Sequence, residues 1–183
     1  AVNISDLAAM GAEPAWLSLA LTLPEVNEPW LAAFAAGLHE TADYYQCQLI
    51  GGDTTRGPLS LTMIAKGIVP RGKALTRSGA KVGDYIYVTG TLGDAALGLK
   101  LCQGLHEVSK KHQSHIVQRF HYPSARVALG QALRNIASSA MDLSDGLYSD
   151  IQHILKRSAV GASIDVARLP LSQAVKDSCD STT

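Results

Sequence analysis

The residues best suited to chemistry in this chain are aspartates placed where apolar segments break into glycine. In Ile50-Gly51-Gly52-Asp53-Thr54-Thr55, two glycines are followed by a carboxylate and two hydroxyls. Glycine lets a backbone approach a phosphate closely and aim its N–H groups at it. The neighbouring carboxylate is the hard oxygen donor that Mg²⁺ prefers. The segment reads equally well as an ordinary strand-to-turn junction, because Gly-Asp is common in turns.

Met141-Asp142-Leu143-Ser144-Asp145-Gly146 is the second such segment. If residues 142–144 are extended, Asp142 and Ser144 share one face and Leu143 is buried on the other. Asp145 then falls at or near the N-cap of the helix that follows, a position worth about 1 kcal/mol. Capping accounts for one acid but not for the pair. Two aspartates and a serine at a helix N-terminus also suit a metal together with a phosphate.

Other segments say less. In Thr89-Gly90-Thr91-Leu92-Gly93-Asp94, Asp94 reads better as a helix cap than as a ligand. Asp6, within Asn3-Ile4-Ser5-Asp6-Leu7, is either a cap or, inside a helix, a carboxylate aimed at a site. The basic residues Arg71, Lys73, Arg77 and Lys81 read first as a solvated loop, although Arg77 could reach a nucleotide phosphate bidentately. The spacing of His106, His112, His115 and His121 fits no closed zinc set, and their interleaving with Lys110, Lys111 and Gln113 reads as a solvated helix face. No GxxxxGK[ST] and no strand-borne GxGxxG is present, which excludes a P-loop NTPase and leaves a dinucleotide fold without support. Residue chemistry therefore reaches magnesium and phosphate, the ingredients of phosphoryl transfer, without a substrate.

The elements that must position these residues alternate between strand and helix. Period-two patterning predicts strands over residues 14–23 and 59–69, with a short one over 48–50 running into Gly51-Gly52. Leu31, Phe34, Ala35 and Leu38 recur at helical spacing and predict a helix from Glu28 to about Tyr45. Residues 70–81 form a basic loop or linker. Strands are expected over 85–89, 140–143 and 161–166, and helices over 94–103, 124–136 and 146–156. Such alternation predicts layered α/β domains.

Bulk properties narrow the class. Sixteen Lys and Arg balance sixteen Asp and Glu, which argues against a nucleic-acid partner. No apolar run approaches the roughly 20 residues needed to span a bilayer, and no basic-then-apolar leader opens the chain. Cys47, Cys102 and Cys179 are far apart and form no CxxC, as expected of reduced thiols in a cytoplasmic protein. The chain opens at Ala1 on an apolar run and stops in a polar stretch, so we expect an excised piece of a longer chain, truncated at both ends.

The segments, taken in order, resemble the thiamine-monophosphate kinase family. Ala1-Val2-Asn3-Ile4-Ser5-Asp6-Leu7-Ala8-Ala9-Met10-Gly11-Ala12 with Pro14 is similar to that family's AVNxSDLAAMGAxP motif, and Gly51-Gly52-Asp53-Thr54-Thr55 to its GGDTT motif. Ala74 to Ala80 with Gly83-Asp84, then Val88 to Asp94, then Met141 to Leu147, match later blocks. Parts are shared with aminoimidazole ribonucleotide synthetases and selenophosphate synthetases; the full collinear set is specific. The resemblance implies a mixed α/β (α+β) fold of two domains, like aminoimidazole ribonucleotide synthetase. Residues 1–69 would be part of an N-terminal ATP- and magnesium-binding, dimerising domain, and residues 70–183 part of a C-terminal α/β domain. It implies magnesium held by Asp6, Asp53, Asp142 and Asp145, with Asp142 and Asp145 nearest the transfer. Gly52, Asp53, Arg77 and Ser144 would contact ATP. Transfer would run directly and in line from ATP to thiamine monophosphate, in a full-length homodimer.

The family's N-terminal Gly-Asp-Asp block and C-terminal Gly-Gly-Glu-Asp-Tyr-Glu block are absent from this chain. The fragment alone is therefore expected to have little or no kinase activity. Two alternatives are another ATP-dependent enzyme of the same superfamily, and a nucleotide-binding or assembly fragment without catalysis.

Overall fold

The computed structural model describes residues 1–180. In chain order the elements are α1 (Val2–Ala9), β1 (Glu13–Leu23), α2 (Glu28–Tyr44), β2 (Gln48–Arg56), β3 (Ser60–Ile68), α3 (Asp94–Cys102), α4 (Lys110–His121), α5 (Val127–Ala132), α6 (Leu147–Ser158) and α7 (Gln173–Asp180). A 3₁₀ turn spans Val166–Arg168. They form two compact units: Ala1–Thr76 with Ala125–Asp142, and Arg77–Ser124 with Leu143–Thr183.

The first unit is built on a three-stranded sheet of order β2-β1-β3, with β2 parallel and β3 antiparallel to β1. Parallel pairing requires a crossover, and α2 supplies it. Asn27 starts that helix by accepting the Trp30 N–H at 3.0 Å, with Pro29 in the first turn. One face of the sheet carries the core, where Leu17 packs with Ile4 of α1, Ala42 of α2 and Cys47, flanked by Met63 and Ala65. The returning segment joins this core through Ala125 and Val127, and its Ala125 N–H donates to the Tyr45 hydroxyl at 2.8 Å. Helices α1 and α5 meet backbone to backbone: a Cβ on Gly130 would lie 1.9 Å from the Ala8 carbonyl oxygen. Arg134 closes the contact by donating from Nε to the Gly11 carbonyl at 2.6 Å.

The second unit centres on α3, α4 and α7. Ile116 is fully buried and packs with Leu97, Val108 and Ala174. Gly98 lets α3 approach α4, since a Cβ there would meet the Ile116 carbonyl at 2.8 Å. Asp94 is 1% exposed. It accepts the hydroxyls of Thr91 and Ser172 and lies 3.6 Å from His115 and 3.9 Å from Arg119. Helix α3 has Gly93 at its N-cap, so Asp94 is neither the expected cap nor a free ligand; it ties together the turn before α3, the basic side of α4 and the start of α7. On α4, His112 and Lys111 each reach Asp177 of α7 at 2.9 Å. Of the histidines expected on one helix face, His112, His115 and His121 lie on α4, His106 precedes it, and His112 faces α7 rather than water.

Several expectations need correction. Strands over 85–89, 140–143 and 161–166 do not form among the described residues. A strand needs a hydrogen-bonded neighbour, and outside β1, β2 and β3 the described residues offer one isolated bridge, Leu92 to Leu171. Tyr85, Ile86 and Tyr87 stay exposed. The helix expected over 124–136 is limited to α5, and α7 was not foreseen. Strand β2 does not end at Ile50 but runs through both glycines to Arg56, because its ladder with β1 continues to Leu23.

Candidate functional site

In the first unit, β2 carries Gly52 and Asp53 at the sheet edge. The register pairs Leu19 with Gly52 and Ala20 with Asp53, and Ile50 forms a bulge between the Leu17 and Ser18 pairings. A Cβ on Gly52 would lie 1.8 Å from the Leu19 carbonyl oxygen. This glycine is therefore required by the close approach of β2 to β1, inside a strand and not in a turn. Asp53 projects on the face shared by Ala20, Thr22 and Thr55, and the 2.9 Å hydrogen bond between the Thr22 and Thr55 hydroxyls marks that face. It is opposite to the face that packs on α1 and α2. The Asp53 carboxylate is exposed and accepts the Thr54 N–H at 2.9 Å.

Asp6 lies inside α1 and is exposed. Of the two readings open from sequence, the structure gives the carboxylate within a helix. Asp142 closes the same unit; it is half-buried and has a polar partner.

In the second unit, α6 organises Arg77, Ser144 and Asp145. At its start the N-cap is Gly146, with φ +122°, and not Asp145. The capping acceptor is a residue that sequence reading missed. Asp150, 2% exposed, accepts through Oδ2 from the backbone N–H groups of Ser144 (2.9 Å), Asp145 (3.2 Å) and Gly146 (3.1 Å). A buried carboxylate needs such donors, and the positive end of the helix favours it further. Hydrogen bonds to a charged acceptor contribute about 1.5–3 kcal/mol each. The expected phosphate cradle at this helix N-terminus is thus filled by the protein's own carboxylate. What the turn offers a ligand is the exposed side chains of Ser144 and Asp145. Leu143, expected to be buried opposite them, is 42% exposed.

At the other end of α6, the Ser158 hydroxyl accepts the N–H groups of Gly79 and Ala80 at 3.2 Å each and lies 3.3 Å from the Arg77 carbonyl. Arg77 is exposed. The helix keeps the Arg77 backbone and the Ser144-Asp145 turn roughly 16–18 Å apart, at 1.5 Å per residue.

Among the described residues, no three His, Cys, Asp or Glu side chains gather as a metal-holding group. The chemistry of the donors still fits magnesium. Mg²⁺ usually takes one or two carboxylates and completes its shell with substrate phosphates and water, and exposed carboxylates such as Asp6, Asp53 and Asp145 suit that use.

Residues 1–69 match the family described as AIR synthase related protein, N-terminal domain. The chain is 60% identical over 176 residues to the thiamine-monophosphate kinase of Salmonella typhimurium, covering 96% of this chain and 54% of that protein. Among solved structures it is similar to the thiamine-monophosphate kinase of Stenotrophomonas maltophilia K279a, with 49% identity, TM-score 0.89, and 96% of this chain and 57% of that one covered. It is also similar to AaThiL complexed with AMPPCP and TMP, with 32% identity, TM-score 0.91, and 99% and 59% covered. The mixed α/β fold is that of these structures, and the chain spans about half the length of the curated relatives it matches.

Proposed function

We propose, from the premise that this chain belongs to the thiamine-monophosphate kinase family, that a full-length protein carrying it phosphorylates thiamine monophosphate to thiamine diphosphate at the expense of ATP. The observation that carries this reading is the 60% identity extending over 96% of the chain. A relative at 32% identity is complexed with AMPPCP and TMP, which supports the same pair of ligands here.

In this reading Asp6, Asp53, Asp142 and Asp145 hold Mg²⁺, and Asp142 and Asp145 lie nearest the transferred group. Bound magnesium would neutralise charge on the phosphoryl oxygens. Ser144 donates its hydroxyl to the nucleotide, and Arg77 pairs with a phosphate through its guanidinium. Gly52 places Asp53 by allowing β2 to lie against β1. The acceptor phosphate is already anionic, so no side chain has to remove a proton from it, and the chain's contribution is binding, orientation and charge.

The homodimer belongs to the same proposal. The sheet face bearing Trp16, Ser18 and Ala20 lies uncovered, with Ile64 52% and Ile68 54% exposed. A second copy of the sheet would bury it. We also assign the protein to the cytoplasm, which its unpaired cysteines suit; no helix among the described residues is long and apolar enough to cross a membrane.

The test is ADP formation by the full-length protein with Mg²⁺, with and without thiamine monophosphate. Turnover that depends on thiamine monophosphate supports the kinase, and ADP release indifferent to it overturns that reading. A second reading, binding without catalysis, applies to the 183-residue chain alone, which spans about half the length of its relatives. Turnover by that chain would overturn it.

A further inference from the structure

We propose that Asp150 is a positioning residue for the Ser144-Asp145 turn, acting as a built-in anion beneath the N-terminus of α6. Three consecutive backbone N–H groups converge on one of its oxygens, at 2.9, 3.2 and 3.1 Å. Loops that bind phosphate present backbone N–H groups in this way. Here the acceptor belongs to the helix itself, and the Asp150 N–H returns to the Gly146 carbonyl at 3.0 Å. The turn is thereby closed in both directions by one residue.

Two consequences separate this role from ordinary helix capping. An N-cap side chain precedes its helix, whereas Asp150 sits in the fourth helical position and reaches back over the turn, as the acid of a capping box does, but to three N–H groups rather than one. At 2% exposure its carboxylate makes these bonds shielded from water, which a solvated N-cap does not. The direction in which Ser144 and Asp145 present their side chains is therefore set by a group that itself touches no ligand. Loss of Asp150 would free three N–H groups and the backbone between Leu143 and the positive-φ Gly146. The consequence for catalysis rests on the reading above, in which Ser144 and Asp145 serve nucleotide and metal; the fixing of the turn does not.

The test uses the full-length protein with Asp150→Ala and Asp150→Asn. Amide hydrogen exchange is measured without nucleotide, and the Mg²⁺ concentration for half-maximal ADP formation is measured separately. Asp150→Ala should speed exchange at residues 144–146 by about tenfold to a hundredfold while residues 151–158 stay protected. It should raise the Mg²⁺ midpoint by about tenfold, as loss of a group that orients a ligand does. Asp150→Asn, which keeps an acceptor oxygen of the same shape, should restore part of both, and it carries the test if the alanine variant does not fold. Wild-type exchange at 144–146 in both variants would overturn the proposal. Faster exchange with an unchanged Mg²⁺ midpoint would overturn the positioning role while leaving the kinase reading intact. If the parent shows no thiamine-dependent turnover, the kinase reading fails and exchange alone decides whether Asp150 fixes the turn.

Discussion

The Ser158 hydroxyl, in the last turn of α6, lies 3.3 Å from the carbonyl oxygen of Arg77, more than eighty residues earlier in the chain's numbering. It also accepts from Gly79 and Ala80, so one side chain holds the loop on which Arg77 stands. If Arg77 contacts ATP, Ser158→Ala should raise KM for ATP about threefold to tenfold with kcat little changed, the pattern of weakened ground-state binding. Steady-state kinetics on the full-length protein decide it, and an unaltered KM would mean the loop is held by other means.

Gly52→Ala places a methyl group where the Leu19 carbonyl oxygen would be 1.8 Å away. The two strands must separate to admit it. We expect a loss of about 3 kcal/mol or more, at the upper end of overpacking costs. Urea denaturation would show it, and a loss below about 1 kcal/mol would mean β2 shifts freely at the sheet edge.

Ile116→Ala empties a fully buried position between α3 and α4. The expected cost is about 2–5 kcal/mol, depending on how far the helices close over the cavity. Because Ile116 belongs to the second unit, a calorimetric scan should show its transition moving more than that of the first unit.

Asp177 sets an acid limit on the packing of α7. Hydrogen bonds from His112 first, then Lys111 and Gln173, hold its carboxyl far below the usual carboxylate range. The sign follows from linkage: a depressed folded pKa gives stability that is present above the unfolded pKa of about 3.9 and is lost as pH falls below it. The stability difference between wild type and Asp177→Asn should therefore shrink from about pH 4 downward. A difference that stays constant down to pH 2.5 would contradict this.

Asp142→Asn in the full-length protein should slow phosphoryl transfer by about a hundredfold or more, the scale of losing a charged group at the reacting centre. Circular dichroism and the melting temperature should remain close to wild type. Near-normal turnover would remove Asp142 from the metal site.

Much of the first unit was legible in the residues. The period-two run 14–23 became β1, and the helical spacing around Phe34 became α2. Patterns of this kind report a segment's own face and are read without knowing its neighbours. The failures came where a neighbour decides the outcome. Residues 85–89 have a strand's composition but no strand to pair with among the described residues. The need for glycine at position 52 has the same origin, because the sequence does not reveal that Leu19 would lie against it. Asp150 passed unnoticed for a similar reason: one acid in a helix's first turn is common, and only the folded turn shows three N–H groups aimed at it. The signal was present in the spacing, since Asp150 follows Gly146 by one helical turn.

The return of Ala125–Asp142 to the first unit has a consequence for how the protein is made. As the chain leaves the ribosome, the sheet and its first two helices emerge with α1 still lacking the partner that Gly130 brings against Ala8. The intervening Arg77–Ser124 segment must be synthesised, and its ends brought together, before that contact can form. Loop closure adds little to the equilibrium cost, because the penalty grows only with the logarithm of length. It does impose an order of events in time, since sequence-distant contacts form late. During that interval the Ala8 side of α1 stays uncovered, and a stop codon placed before Ala125 would leave it so permanently.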